Sequence, residues 1–274
     1  MTSKISSDSI RGFQKKVMDW WEENARDLPW RRDPSPYNVL VSEVMLQQTQ
    51  VSRVVPKYNE FTKAFPNMES LASAETKELL KVWSGLGYNR RAIWLREAAR
   101  QIIENGEFPQ SMDELRRLKG VGPYTSRSIL IFAFNRDLAA VDTNIRRVLI
   151  ACGFANEEMT ACQLQEVADI LLLTGRSRDW HNALMDYGSD VLPARSTGIA
   201  PTSSQSKFSG SSRQVRGAII RFLQNVESLS IDQLRLQLEE EGIHSKGLDS
   251  VLNSLIQEGF IDSIGEHSFR ITEC

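Results

Sequence analysis

Apolar residues recur at helical spacing through most of the first 190 positions, and no half-buried strand alternation is found before residue 259. That pattern confines the bulk of the chain to an all-α architecture. Candidate helices cover Ser7–Asn24, Tyr37–Phe65, Met68–Ala72, Lys77–Val82, Asn89–Asn105, Met112–Leu118, Tyr124–Phe134, Thr143–Gly153, Ala161–Leu172 and Arg178–Gly188. Pro56 is expected to kink or break the second of these, because it has no backbone N–H to donate. Between Pro193 and Arg213 the composition turns to Ser, Gly, Thr and Pro, which reads as a linker or an extended crossing segment and not a helix. Beyond it the pattern predicts helices over Gln214–Gln224, from a Ser230 cap to Gly242, and over Ser245–Gly259. Two short runs, Phe260–Ile264 and Ser268–Ile271, flank Gly265-Glu266 as a hairpin. Three helices and a terminal hairpin are winged-helix-like.

Charge and cysteine content narrow the function classes. The 33 Lys and Arg against 35 Asp and Glu leave a net charge of −2, which removes the simplest argument for a nucleic-acid binder. The balance is uneven, however: residues 1–210 carry a net +2 and the remainder a net −4. No run approaches the roughly 18 apolar residues that span a bilayer, so no membrane association is expected. The polar start lacks the apolar core of a secretory signal, and a cytoplasmic location is expected, at the nucleoid in a prokaryote. Cys152, Cys162 and Cys274 are odd in number and widely spaced, so they imply no disulfide framework.

Leu118-Lys-Gly-Val-Gly-Pro-Tyr-Thr125 joins two helical segments through Gly120 and Gly122. Glycine there permits positive φ and close approach of the main chain to another molecule. N–H groups opening the next helix then face outward, where a phosphate can accept them; an ordinary helix–turn–helix connection is the alternative. What separates the two is context. An apolar helix follows, then Val141-Asp-Thr-Asn-Ile-Arg-Arg-Val-Leu149. This order resembles the helix-hairpin-helix DNA glycosylases of the endonuclease III superfamily. Leu28-Pro-Trp-Arg31, Pro36-Tyr37, Ser42-Glu-Val-Met-Leu-Gln-Gln-Thr-Gln-Val51, Gly85-Leu-Gly-Tyr88 and Ala183-Leu-Met-Asp-Tyr-Gly188 resemble its MutY adenine glycosylase branch in particular, over about two-thirds of the chain.

The resemblance implies a two-lobed helical glycosylase domain over 1–210, with a six-helix barrel lobe at about 35–141, a second lobe from 1–34 and 142–210, and the small winged helix over 211–274. It implies a monomeric enzyme that binds double-stranded DNA holding a mispaired or damaged base and hydrolyses the glycosidic bond of adenine opposite 8-oxoguanine or guanine. Another mispaired or deaminated base, and a DNA-binding protein without catalysis, are the alternatives.

The candidate catalytic residues have physical readings of their own. Asp142 stands where an Asp caps a helix, and a carboxylate so held is expected to stay ionised and to stabilise a cationic sugar. Glu43 lies in an apolar helix, either on a solvated stripe with Gln47 and Gln50 or in a dry pocket that keeps it protonated near neutrality. By resemblance it protonates adenine and handles the attacking water. Tyr124 stands where lyase-active relatives carry a lysine, so no Schiff base is expected from that site. Asn144 matches a position beside the catalytic aspartate, or merely caps its helix.

For DNA contact, Gln48 and Tyr88 resemble the residues that fill the duplex gap after base extrusion, although Tyr88 after a glycine turn can equally be core. Arg31 either lines the base pocket or pairs with a carboxylate. Arg90, Arg91 and Arg96, with Lys119, Gly120, Val121, Gly122 and Thr125 of the hairpin, are candidate phosphate contacts. A monovalent cation at the hairpin, 118–124, is also compatible with the family pattern.

Two departures stand out. Relatives of this branch carry a four-cysteine iron–sulfur cluster, but the corresponding positions here are Leu192, Ile199, Thr202 and Phe208, none of which ligates iron as thiolate does. The cluster is expected to be absent, with apolar side chains packing the segment. Residues 214–274 are also too short and too helical for the Nudix-like domain that reads 8-oxoguanine in the family, and Lys246 is the sole basic residue in Ser245–Gly259, which argues for packing or partner binding over direct DNA readout.

Overall fold

The computed structural model describes residues 5–201, 207–244, 247–265 and 267–273. Helices in chain order are α1 (Ser7–Asn24), α2 (Pro29–Arg32), α3 (Pro36–Leu46), α4 (Val51–Ala64), α5 (Met68–Ala72), α6 (Thr76–Trp83), α7 (Arg90–Asn105) and α8 (Met112–Leu115). They continue with α9 (Pro123–Phe134), α10 (Thr143–Ala151), α11 (Ala161–Ile170), α12 (Ser177–Asp190), α13 (Ala194–Thr197) and α14 (Ser212–Gln224). Strand β1 (Leu229–Ser230) precedes α15 (Ile231–Glu240), α16 (Leu248–Gln257), β2 (Ile261–Ile264) and β3 (Ser268–Ile271). The fold is all-α with a small α+β end.

Local chemistry places most of these boundaries. Ser6, Asn67, Ser111, Thr160 and Ser230 each cap a helix by accepting an N–H three residues on. Gly106 ends α7 in the left-handed conformation at φ 79°. Pro56 does not break its helix. α4 runs through it, and Ser52, whose carbonyl Pro56 has no N–H to meet, lies on the same exposed face. The break falls instead at Gln47–Gln50, where Gln48 takes φ 59°. The segment expected to be a linker contains the single turn α13, and α14 begins two residues before the expected Gln214. β1 was not legible at all, since two residues carry no alternation.

The chain forms two compact units, Met1–Glu43 with Pro109–Arg117 and Val121–Ser204, and Val44–Phe108 with Leu118–Gly120 and Gln205–Cys274. This division differs from the lobe boundaries expected at 35 and 142, because α9 packs with α8 and α12. In the first unit, Phe13, Val17, Val148, Leu149, Val167, Leu171, Trp180, Ala183 and Leu184 form a closed core, with Phe13 edge-on to Trp180 at 5.6 Å. In the second, Phe61 meets Trp83 edge-on at 5.9 Å between α4 and α6. The winged helix is part of this second unit. Its sheet has the antiparallel order β1-β3-β2, with Ile261 paired to Ile271, and α14 packs on α6.

Candidate active site

One wall of the first unit carries all four candidate catalytic residues. Asp142 caps α10: its Oδ1 accepts the Ile145 N–H at 2.7 Å, and Oδ2 accepts from Asn144 Nδ2 at 3.2 Å. Asn144 is held in turn by Arg147, whose Nη2 donates to Asn144 Oδ1 at 2.7 Å. Arg147 also donates to the carbonyls of Gly188 and Leu192, each at 2.6 Å. Burial pushes the Asp142 carboxyl above its ordinary value, and the hydrogen bonds from Ile145 and Asn144 with the Arg147 charge only partly offset this. The cap donors expected to favour its charge are in place, and desolvation opposes them.

Glu43 comes off α3 half-buried, and of its two readings the desolvated carboxyl is the nearer one. Burial raises its carboxyl to about 7; the Ser128 hydroxyl opposes this, and the negative charge of Asp142 adds to it. Tyr124 and Ser128 stand four residues apart on α9 and so share one face, which brings both to the carboxyl. The Tyr124 phenol is pushed up by burial and by the charges of Glu43 and Asp142, although 38% of the residue is exposed. The arrangement is two carboxyls and a neutral phenol around one spot, with one carboxyl able to donate a proton near neutrality.

Ser128, Arg147 and Gly188 were missed in the sequence. The i,i+4 spacing from Tyr124 is a signal that points to Ser128. A side chain at Gly188 would sit 3.0 Å from both the Asn144 carbonyl and Val148 Cγ2, so glycine there lets α12 press against the start of α10.

Arg31 goes to the second of its alternatives. It pairs with Asp186, Nη1 to Oδ2 at 2.7 Å and Nη2 to Oδ1 at 2.9 Å. Asp186 has no exposed side-chain surface, and it also accepts from Arg26 and from Trp21 Nε1. Burial alone would raise its carboxyl, but the Arg31 hydrogen bond and the charges of Arg31 and Arg26 hold it below the ordinary value. His181 is likewise structural: burial lowers it to about 4, and its neutral ring accepts the Ala140 N–H at 3.0 Å, two residues before Asp142.

The second unit holds the candidate DNA contacts Gln48 and Tyr88. Both are exposed, and both have left-handed backbones, at φ 59° and 49°. Strain at such residues marks positions that the surroundings over-determine. Arg91 and Arg96 are not phosphate contacts. Arg91 is buried and donates to the carbonyls of Val44, Met45, Gln47, Leu86 and Gly87, closing the end of α3. Arg96 is buried against the Ala74 carbonyl at 2.9 Å. Arg90 is half exposed, over the Trp94 ring and 3.5 Å from Glu258.

At the hairpin, Gly120 has φ 79° with Trp94 packed beneath it, whereas Gly122 is extended and no atom lies within 4 Å of where its Cβ would be. The need for positive φ is therefore confined to Gly120. The Lys119 N–H donates to Gln101 Oε1 at 3.0 Å, and the side chains of Val121 and Thr125 are buried, leaving their main chain alone for any partner. No side chain caps the start of α9.

The HhH-GPD superfamily model, described as base excision DNA repair protein, matches residues 41–172, the span that contains this site. An adenine DNA glycosylase of Mycolicibacterium smegmatis is 32% identical over 280 residues, covering 93% of this chain and 94% of that protein. The chain belongs to the HhH-GPD superfamily, in its MutY-like branch. The adenine DNA glycosylase of Rattus norvegicus is 36% identical over 197 residues, and the match spans 38% of its length. Among solved structures, a thermostable thymine-DNA glycosylase superposes with a TM-score of 0.61 at 29% identity, covering 68% of this chain and 89% of that one.

At the four positions where MutY-like proteins are expected to place cluster cysteines, Leu192 packs against the helical core and Ile199 is buried. Phe208 is 60% exposed and does not pack as expected, while Thr202 and Cys274 lie outside the described residues. Cys152 is half-buried and Cys162 exposed, both as free thiols. Among the described residues no group of His, Cys, Asp and Glu is placed to hold a metal, and no helix is long and apolar enough to cross a membrane.

Proposed function

We propose that this protein is a monofunctional DNA glycosylase that excises adenine opposite 8-oxoguanine or guanine. The observation that carries the reading is the pair Glu43 and Asp142 at one half-buried site, where burial raises both carboxyls and takes Glu43 to about 7. Asp142 has the Ile145 and Asn144 donors and the Arg147 charge to support its anion, whereas the Ser128 hydroxyl beside Glu43 also donates to the Thr125 carbonyl at 3.0 Å, so Glu43 keeps the shared proton. Protonated Glu43 donates to the leaving base as the glycosidic bond breaks. The Asp142 carboxylate stabilises the cation that develops on the sugar, and water adds once the base has left. Tyr124 stays a neutral phenol, adding its oxygen lone pairs to the same face. With no amine at position 124, the site supplies no Schiff base and no β-elimination.

Adenine as the base is supported by the names of the relatives that match over most of the chain. The thymine-DNA glycosylase likeness favours thymine opposite guanine as the second reading. Alkali treatment after incubation with A:8-oxoguanine, A:G, T:G, U:G and hypoxanthine duplexes separates them; cleavage of T:G alone would sink the first. Strand breaks without alkali would contradict monofunctionality. The proposal includes a monomer working in the cytoplasm or at the nucleoid, without an iron–sulfur cluster, since Leu192, Ile199 and Phe208 offer no thiolate. A monovalent cation at the 118–124 hairpin remains part of the proposal, tested by the effect of replacing potassium with a tetraalkylammonium salt on DNA affinity.

A further inference from the structure

We propose that Arg213 of the winged helix is a positioning residue that sets the ring of Tyr88 for insertion into DNA. The inference rests on the reading of Tyr88 as a stacking residue and deepens it. Tyr88 is 42% exposed on a left-handed backbone, a conformation without an internal helical or strand ladder to hold its side chain. What holds it comes from elsewhere. The Arg213 Nη1 donates to the Tyr88 hydroxyl at 2.8 Å, and the guanidinium carbon lies 5.6 Å from the ring centroid. Arg91, anchored by its row of carbonyl acceptors, lies 5.5 Å from the same centroid.

The position of Arg213 is fixed independently of Tyr88. Arg216, one turn along α14, donates to Glu258 Oε2 at 2.6 Å and to Ser254 Oγ at 2.9 Å, and Glu258 also faces Arg90. Lys77 Nζ of α6 donates to the Val226 carbonyl just after α14, at 3.0 Å. These contacts pin both ends of α14, so its first turn delivers a guanidinium to one tyrosine. The described third helix of the winged helix, α16, contains no Lys or Arg with which to read a groove. Its contribution to DNA handling then runs through Tyr88 and not through its own groove contact.

The test uses the full chain with Arg213→Ala, Arg213→Lys, Tyr88→Phe, Tyr88→Ala and, as a control on the same helix, Arg221→Ala. Binding to a mispaired and a fully paired duplex is measured alongside the fluorescence of 2-aminopurine placed next to the mispair. Removing one exposed cation–π and hydrogen-bond contact is expected to weaken mispair binding by about two- to fivefold and to blunt the fluorescence rise. Arg213→Lys should retain part of both. Tyr88→Phe and Arg213→Ala together should fall short of the product of the single effects, since they remove one interaction. Arg221→Ala should behave as the parent. Unchanged binding and fluorescence in Arg213→Ala, with Tyr88→Ala impaired, would overturn the proposal alone. A loss equal on both duplexes would make Arg213 a plain phosphate contact and overturn it too. Should Tyr88→Ala itself match the parent, the stacking reading fails and takes the proposal with it.

Discussion

Glu43 and Asp142 differ in how their surroundings treat a negative charge. Burial raises both carboxyls, but donors gather on Asp142, and the proposed mechanism therefore places the proton on Glu43. A general acid at about 7 is protonated below that pH, so kcat/KM measured under single-turnover conditions should fall as pH rises through 7. Glu43→Gln and Asp142→Asn should each reduce turnover by at least about a hundredfold while sparing DNA affinity; retained turnover in either would refute its role. The same burial has a stability cost with a definite sign. The Glu43 pKa is raised in the folded state, so folding is favoured by its proton and stability declines as pH climbs from about 4.5 towards 7. Urea titrations should show that decline in the parent and a flatter profile in Glu43→Gln. Asp186 behaves oppositely: its folded value is depressed, so its contribution is present above about pH 4 and is lost on further acidification. Asp186→Ala strands Arg31 and Arg26 in a buried setting and should cost about 3–5 kcal/mol by urea denaturation.

At the scale of elements, two glycine contacts separate packing from partner approach. Gly188 is where α12 touches α10, and an added Cβ would meet the Asn144 carbonyl at 3.0 Å. Gly188→Ala should cost about 1–3 kcal/mol and lower kcat, because the shift falls on the helix start that holds Asp142. The hairpin offers a cleaner comparison. Gly120→Ala is strained by its positive φ and by Trp94, so its melting temperature should drop. Gly122→Ala meets nothing within the protein and should melt like the parent. Weaker DNA binding in Gly122→Ala at unchanged stability would place a phosphate there; unchanged binding would remove Gly122 from the interface. Arg91 belongs to this scale as well. At about 10 it is still charged at neutral pH, and that charge closes the carbonyl end of α3 where Gln48 follows.

For the molecule as a whole, a net charge of −2 with the acidity concentrated beyond residue 210 predicts few phosphate contacts and a shallow salt dependence of DNA affinity. A plot of log affinity against log salt with a steep slope would contradict it. The purified protein should also show no absorbance near 400 nm. How far the sequence carries this picture is visible in particular residues. Helical periodicity was enough for the order of the longer helices, because each amphipathic stripe is written locally, and caps such as Asp142, Thr160 and Ser230 need a donor only three residues away. The two candidate carboxyls were legible through motif order. What arginines do was not: Arg31, Arg91 and Arg96 look like surface cations along the chain, and their acceptors are supplied by segments far away in sequence. The division of the chain into units was equally hidden, since a helix such as α9 carries apolar residues without stating which neighbour will cover them. Residue type and spacing therefore determined by themselves where helices form and which carboxyls are candidates. Only tertiary packing decided how far each carboxyl is raised and which cations are buried, because desolvation and hydrogen-bond partners depend on what the rest of the chain brings alongside.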